Sequence, residues 1–160
     1  MKTIDFVRRH VERLERNGRF SLQKGFIQHG VCSVYDHSVQ VAVLSVSLTR
    51  WLRLPVNYNI LVRAALLHDY FLYDWHLPHG KLHGFFHPRV ALENARKDFL
   101  LSIREENTIL RHMFPLNRKH PKYKEGWIIT IADKKVSAEC FREIDFFYNT
   151  FLAIIGGNKC

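Results

Sequence analysis

The sequence of 160 residues contains only three cysteines, Cys32, Cys140 and Cys160, and none of them forms the Cys-x-x-Cys spacing of a thiolate zinc site. An odd, scattered set is typical of free thiols in a reducing compartment. Polar residues interrupt even the apolar stretch 39–54, so no membrane span is expected. The first ten residues lack a continuous hydrophobic region and a small-residue cleavage site, which excludes a typical signal peptide. These absences predict a cytoplasmic protein.

Acidic residues are also scarce, since the chain has 15 of them against 24 lysines and arginines. The formal charge is therefore +9. A basic surface favours anionic partners, such as phosphorylated metabolites, nucleotides or nucleic acid. The basic residues are spread along the chain, and the modest cluster at 118–124 is interpreted as a solvated loop that, if functional, attracts phosphate. No motif supplies a recognition helix, so a small phosphorylated molecule is a better candidate partner than nucleic acid. The composition leaves the oligomeric state open.

Hydrophobic periodicity is helical almost throughout, and no segment shows the alternation of a half-buried strand. The pattern predicts an all-α, single-domain helical bundle over residues 1–160. Helices are expected over residues 4–15, 35–52, 58–72, 87–95, 102–113, 126–137 and 138–155. Residues 19–34 and 73–86 are expected to be irregular. Pro88 is expected in the first turn of a helix that His87 opens, because proline is well tolerated there.

The adjacent pair His68 and Asp69 directly follows the apolar helical run 64–67. Polar groups in such a setting are costly unless they are paired or bound to a metal. Other candidate ligands lie on either side in the sequence: His37, His87, His112 and Asp133. The order His, His-Asp, His, His, Asp is typical of a metal-dependent enzyme. A mixed set of imidazoles and carboxylates suits Fe, Mn, Co, Ni or Zn better than Mg or Ca. Asp69 is the candidate bridge, since its two oxygens can bind two ions.

Each candidate also has a structural interpretation, because an isolated histidine on an apolar stripe is more often a hydrogen-bonded core residue than a ligand. The agreement among the candidates favours the metal site. Glu105 and Glu106 are alternative carboxylate donors, although an exposed charged helix face is the favoured interpretation. The remaining histidines are interpreted as surface or loop residues: His10, His29, His76, His79 and His120.

The four positions His37, His68, Asp69 and Asp133 resemble the H…HD…D pattern of the HD-domain metal-dependent phosphohydrolase superfamily. Their contexts are Tyr-Asp-His-Ser-Val-Gln-Val-Ala, Ala-Ala-Leu-Leu-His-Asp-Tyr and Ile-Ala-Asp-Lys-Lys, and the similarity spans about residues 35–140. The contexts of two further histidines resemble the dinuclear branches, which include HD-GYP cyclic-dinucleotide phosphodiesterases and HD-type diadenosine tetraphosphate hydrolases: His87 and His112.

The dinuclear resemblance implies two metal sites that share one carboxylate. The first would be formed by His37, His68, Asp69 and Asp133. The second would be formed by Asp69, His87 and His112. His83 competes with His87 for its position, and His87 is preferred because it opens a helix and aligns with Ala91 and Ala95.

The resemblance implies hydrolysis of a phosphomonoester or phosphodiester in a nucleotide-like small molecule. Two divalent transition-metal ions, most plausibly iron with manganese, cobalt, nickel or zinc as alternatives, would activate a hydroxide, with His68 and Asp69 as catalytic residues. Dinucleotide-hydrolysing relatives often have lysine three residues after the HD aspartate, where this chain has Leu72, and the Gly-Tyr-Pro signature is absent. Neither substrate can therefore be named. Candidates for phosphate contact are Lys81, Arg89, Arg118 and Lys134.

Two alternatives remain at this level. Some members of the superfamily are mixed-valent diiron oxygenases with an equivalent ligand set, which the sequence does not distinguish from hydrolases. A non-catalytic, metal-containing nucleotide-binding domain is the second alternative, and Leu72 in place of lysine is its main support.

Overall fold

The computed structural model describes residues 2–29, 32–77 and 82–140, excepting the side chains of His29 and Cys140. The all-α fold class is confirmed. The helices are α1 (Thr3–Asn17), α2 (Val34–Trp51), α3 (Tyr58–Leu67), α4 (His83–Asp98), α5 (Ile103–Arg111) and α6 (Lys124–Cys140). A 3-10 helix and a small antiparallel pair lie between α1 and α2, where an irregular connection was expected: Phe20–Gly25, β1 (Ile27–His29) and β2 (Cys32–Ser33).

The central helix is α2, which packs against α1, α3 and α6, while α5 packs against α3, α4 and α6. Fully buried apolar side chains fill the space between them, among them Val41, Leu61, Leu66 and Ile129. Burial of each such side chain stabilises the fold by about 1.5–3 kcal/mol. In the part of the chain that the structure describes, no helix is long and apolar enough to cross a membrane.

Helix α3 is shorter than the sequence predicts, because it ends at Leu67 rather than at residue 72. The amide of Tyr70 donates to the carbonyl of Leu67 at 3.2 Å, and the chain then turns through Leu72, whose φ of 54° lies in the left-handed region. This conformation costs about 1–2 kcal/mol for a residue other than glycine. The consequence is that Asp69 projects from a turn at the end of α3 and not from a continuous helix.

Helix α4 starts at His83, one turn before the predicted start at His87. Pro88 therefore lies inside the helix and not in its first turn. Because proline has no backbone N–H, α4 lacks one hydrogen-bond donor at this position. The prediction of an irregular segment as far as residue 86 was wrong for its last four residues. Because His83 and His87 are one turn apart, they lie on the same face of α4.

Two polar residues expected on the surface are buried instead. His10 is buried because Nδ1 bonds to the carbonyl of Phe6 at 2.9 Å and Nε2 bonds to Asn59 Oδ1 at 3.1 Å. Glu105 is buried because it belongs to the cap of α5 and pairs with Arg63 at 3.2 Å. The expected exposure of His76 and His120 is confirmed.

Helix α6 continues from Lys124 through Cys140, so the predicted division into helices 126–137 and 138–155 is wrong at residues 137 and 138. The remainder of the second predicted helix lies outside the described residues. His79, Lys81 and Cys160 lie outside them as well. Cys32 is buried. The assignment of residues 1–160 to one domain stays a prediction.

Helix α5 begins with a capping box formed by Ser102 and Glu105. Ser102 Oγ accepts from the amide of Glu105 at 3.3 Å, and Glu105 Oε2 accepts from the amide of Ser102 at 2.7 Å. We expect Ser102→Ala to lower the free energy of unfolding by about 1 kcal/mol, measured by urea denaturation. Ser47→Ala, at an exposed position inside α2, is the matched control and should cost nothing. Equal losses in both variants would contradict a stabilising cap.

Candidate metal centre

Five helices bring the six candidate ligands together. His37 lies in the first turns of α2, which begins at the N-cap Ser33, and Asp133 lies in α6. The other four are contributed by the ends of α3 and α5 and by the first half of α4: His68, Asp69, His87 and His112. All six side chains are buried. Residues separated by up to 96 positions thus meet in one place in the core.

The first group of ligand atoms consists of His37, His68, Asp69 and Asp133. Nε2 of His37 lies 3.0 Å from Asp133 Oδ1 and 3.8 Å from Asp69 Oδ2. Nε2 of His68 lies 3.3 Å from Asp69 Oδ2 and 3.7 Å from Asp133 Oδ1. Two imidazole nitrogens and two carboxylate oxygens therefore face one another across a small space, as the ligands of one transition metal do.

The second group consists of Asp69, His87 and His112. Here the other oxygen of the aspartate is used, since Asp69 Oδ1 lies 3.1 Å from His87 Nε2 and 3.4 Å from His112 Nε2. The two imidazole nitrogens are 3.0 Å apart. Asp69 thus directs one oxygen to each group, which is the arrangement expected of a bridging carboxylate.

Three of the four histidines have their tautomer set by the backbone. Nδ1 of His68 bonds to the carbonyl of Ala65 at 2.7 Å, and His87 and His112 bond to carbonyls one turn earlier, at 2.9 and 2.8 Å. A carbonyl only accepts, so each Nδ1 carries the proton and each neutral ring keeps a lone pair on Nε2. Metal-binding histidines are commonly oriented in this way by an outer hydrogen bond.

These donors fit a pair of transition-metal ions. The lone pairs on Nε2 of His87 and His112 face each other at 3.0 Å, which is repulsive unless a proton or a metal ion lies between them. Among the described residues, His68 Nε2 and Asp69 Oδ1 are buried and make no hydrogen bond. Buried polar atoms without a partner are costly, and a metal ion would satisfy both of these.

The electrostatics of the centre favour bound cations. Burial alone would lower the pKa of His68, but the carboxylates of Asp69 and Asp133 outweigh it and hold this pKa well above 6.5, its ordinary value. Burial would raise the pKa of Asp69, and the neighbouring imidazoles reverse the effect, so that the pKa is well below its usual range. The pKa of Asp133 is lowered against burial in the same way. Both carboxylates are therefore ionised at neutral pH.

A rise in pH should lower the contribution of His68 to the stability of the metal-free protein but should increase the stabilisation that bound metal gives. Without metal, the raised pKa of His68 contributes stability that is fully present below pH 6.5 and is lost as pH rises through that pKa. Bound metal needs the neutral imidazole, so the gain in Tm on metal addition should grow over the same rise in pH. The lowered pKa values of Asp69 and Asp133 contribute stability that is lost only in acid, as pH falls below 3.8.

Thermal unfolding with and without chelator, from about pH 6 to pH 9, measures this difference. His68→Asn is the control. Without this imidazole, its contribution to the slope of Tm against pH in the metal-free protein should disappear. Parallel pH profiles for the two wild-type samples would contradict the expected competition between proton and metal.

The HD-domain family model matches residues 34–137, from the start of α2 to the last turns of α6. The chain belongs to the HD-domain family. No curated protein and no solved structure matches it. The matched segment contains all six candidate ligands of this HD domain, and the resemblance inferred from the sequence is confirmed at the level of the family.

A cavity of about 590 Å³ lies beside the centre of this HD domain. Asp69, His87 and Asp133 contribute to its lining, as do the apolar side chains of Met113 and Leu116. The volume is in the range of small-molecule sites. Because the ligand groups reach the wall of this cavity, a molecule inside it would meet the metal-binding atoms directly.

The structure places only one of the described candidates for phosphate contact at this cavity. Lys134 lines it and donates from Nζ to the carbonyl of Phe114 at 2.5 Å. Partial burial lowers the pKa of Lys134 below its ordinary value. Arg89 and Arg118 are exposed and do not line the cavity, and Lys81 lies outside the described residues.

Sequence reasoning missed Gln28, the side chain closest to the proposed bridge. Its amide nitrogen donates to Asp69 Oδ2 at 2.6 Å, and the residue is buried at the cavity wall. It comes from β1 of the hairpin, in a segment without a periodic pattern, so no local signal marked it. Ser137 was also missed, although it stands one turn after Asp133 and donates to its Oδ1 at 3.5 Å.

The turn that carries Asp69 is held from α4. Asn94 donates from Nδ2 to the carbonyls of Tyr70 and Phe71, at 3.2 and 2.9 Å. The hydroxyl of Tyr70 donates to Asp98 Oδ2 at 2.6 Å. These bonds fix the backbone immediately after Asp69, so the direction of its carboxylate depends on α4 as well as on α3.

Proposed function

We propose that this HD-domain protein is a metal-dependent phosphohydrolase with a dinuclear centre, which cleaves a phosphomonoester or phosphodiester in a nucleotide-like small molecule. One observation carries the proposal. The two oxygens of Asp69 face two separate sets of histidine nitrogens in the same buried space. A single metal would need only one of these sets.

The proposed ligands of the first ion are His37, His68, Asp133 and Oδ2 of Asp69. Those of the second are His87, His112 and Oδ1 of Asp69. The second group has fewer donor side chains than the first, and the cavity reaches His87, so an ion held there would be the better placed to meet substrate. We propose iron as the metal, with manganese, cobalt, nickel and zinc as alternatives that the same mixture of imidazole and carboxylate donors would also suit.

Two ions held by these residues would activate a water for attack and would neutralise the charge that develops on the phosphoryl oxygens. The chain supplies the geometry for this chemistry. Asp69 and Asp133 remain ionised in the core, and the bond from His68 Nδ1 to the carbonyl of Ala65 directs Nε2 toward the centre. If two divalent ions were bound, the two carboxylates would leave the centre with a net positive charge. Lys134 adds a further positive charge at the cavity wall. We propose Lys134 as a phosphate contact, because an anionic substrate is attracted to such a site.

Metal content and activity of the purified protein test the proposal. We expect about two equivalents of transition metal per chain, by elemental analysis of protein purified without chelator or affinity metal, and hydrolysis of p-nitrophenyl phosphate or of a nucleotide. Oxygen consumption by iron-loaded protein, with no phosphate release, would establish the mixed-valent diiron oxygenase alternative instead. Tight nucleotide binding without either reaction would identify a non-catalytic binding domain.

A further inference from the structure

Gln28 contacts the proposed bridging carboxylate from the wall of the cavity. Its Nε2 donates to Asp69 Oδ2 at 2.6 Å, and the residue is only 6% exposed. An amide nitrogen that donates a hydrogen bond has no lone pair to offer a metal ion, so this nitrogen is not a further ligand. The contact acts on the centre through the carboxylate of Asp69.

An irregularity in the small hairpin places Gln28 in this position. Ile27 pairs with Ser33, and His29 pairs with Cys32, so β1 has one residue more than β2 between these two pairs. That extra residue is Gln28. A bulge of this kind changes the direction of a side chain, and bulges are frequent beside active sites.

The backbone before Gln28 is held at two points. The carbonyl of Phe26 accepts from the first amide of α2 at 2.8 Å, and the carbonyl of Ile27 accepts from the indole nitrogen of Trp75 at 3.1 Å. Trp75 follows Asp69 by six residues, so the second bond connects the hairpin to the segment that carries the carboxylate. The amide of Gln28 is thus held relative to α2 and to the turn after α3.

Backbone contacts alone do not orient the carboxylate of Asp69. Asn94 holds the carbonyls that follow Asp69, but rotation about the Cβ–Cγ bond would still exchange Oδ1 and Oδ2. The bond from Gln28 holds Oδ2 on the side of the first group of ligands. Oδ1 is then directed to the second group, where it lies 3.1 Å from His87 Nε2.

The other half of the Gln28 amide shows that this bond is what the buried side chain contributes. Within the described part of the chain, Gln28 Oε1 is buried and accepts no hydrogen bond. A buried acceptor without a partner lowers stability. A glutamine at this position is therefore explained by the donor that it offers to Asp69 and not by the stability of the hairpin.

We propose that Gln28 is a positioning residue of the metal centre, whose amide holds Oδ2 of Asp69 so that Oδ1 faces the second group of ligands. The inference rests on the proposed dinuclear function. The second ion should depend on Gln28 more than the first. The first group contains another carboxylate, Asp133, whereas the second, as the structure describes it, has no carboxylate besides Asp69.

Stepwise titration with cobalt(II) tests the proposal, because the visible spectrum of cobalt reports the ligands of each ion as well as its affinity. Gln28→Met keeps an unbranched side chain but removes the donor. Gln28→Asn keeps an amide that is one methylene too short for the bond. Gln23→Met is the matched control, since Gln23 is a fully buried glutamine with an unpartnered Nε2 among the described residues and does not line the cavity.

We expect Gln28→Met and Gln28→Asn to weaken binding of the second cobalt equivalent by about tenfold to a hundredfold, as the loss of an outer hydrogen bond at a metal site does. Binding of the first equivalent should change less, and the spectrum of the two-equivalent protein should shift. The Tm of metal-free Gln28→Met should stay near that of wild type, because removal of the unpartnered Oε1 offsets the lost bond. Gln23→Met should keep both affinities.

Two results would overturn the proposal: unchanged affinity for the second equivalent in both Gln28 variants, or an equal loss in Gln23→Met. Hydrolysis of p-nitrophenyl phosphate by wild type distinguishes this failure from failure of the proposed function. Turnover by wild type, with cobalt binding unaffected in the Gln28 variants, leaves the phosphohydrolase standing and removes Gln28 from it. A second equivalent that depends on Gln28, without turnover, supports the positioning role and rejects the reaction.

Discussion

Asp69→Ala should abolish turnover and reduce bound metal to at most one equivalent per chain while most helical content is retained. The variant removes the one carboxylate that, among the described residues, reaches both groups of histidines, through Oδ2 to His68 and through Oδ1 to His87. Loss of metal from a two-metal site removes several kcal/mol of transition-state stabilisation, or a factor of about a thousand or more in kcat. Helical content should remain, because Asp69 lies in the turn after α3. Elemental analysis, a phosphatase assay and circular dichroism measure the three quantities.

Asp69→Asn and Asp74→Ala complete this experiment. The first keeps the shape of the side chain and its contact with Gln28 but removes the charge, so it should lose metal almost as completely as Asp69→Ala. The second removes an exposed carboxylate five residues later in the chain, which contacts only the ring and amide of His76 among the described hydrogen bonds. It should retain metal and activity. Full activity of Asp69→Ala would refute the assignment of this residue to the centre.

The convergence of His37, His68 and Asp133 was predictable because helical periodicity places each of them beside core-facing positions. His37 precedes the buried Val41 by one turn of α2, and Asp133 follows the buried Ile129 by one turn of α6. A polar side chain on such a face must find a partner inside the protein. Chain order and helical periodicity therefore selected these three residues. The resemblance to the dinuclear branches added His87 and His112, and the sequence could not show that those two meet the others.

The local geometry around Asp69 was not predictable, because it depends on contacts that are distant in the sequence. The apolar pattern continues through Leu72, but α3 ends at Leu67, and the following carbonyls bond to Asn94 of α4. In the same way, the amide that contacts Asp69 comes from Gln28, 41 residues earlier. Helix propensity describes a segment alone, whereas these partners are selected by the packing of the whole fold.

Two wrong assignments have the same physical origin. His10 and Glu105 were interpreted as exposed because polar side chains usually are. Each is buried since a distant partner satisfies it, Asn59 for the imidazole and Arg63 for the carboxylate. Neither partner is recognisable from sequence spacing. The metal candidates differ from these two residues because several of them stand in the order and the helical contexts of a family pattern, and that agreement was the signal that the sequence did contain.

His87→Ala and His112→Ala should each reduce metal content from about two equivalents to about one. Both variants remove an Nε2 ligand from the group at Asp69 Oδ1, whereas the ligands of the other group, including His37, remain. Turnover should fall nearly as far as in Asp69→Ala, since hydrolysis by this mechanism needs both ions. Elemental analysis and a phosphatase assay on the same samples measure both effects.

The exposed His120 supplies the matched control, since His120→Ala removes an imidazole of the same α5–α6 region without touching the centre. It should keep two equivalents and wild-type activity. His37→Ala removes a ligand from the first group instead. The metal that this variant still holds should be bound by the second group and should be lost when His87 is also replaced by alanine. If wild type, His87→Ala and His112→Ala all hold one equivalent, these histidines are not ligands, and the unfavourable approach of their Nε2 atoms at 3.0 Å must be relieved by a proton instead. That outcome would reduce the centre to the four ligands at Asp69 Oδ2 and favour a mononuclear HD domain.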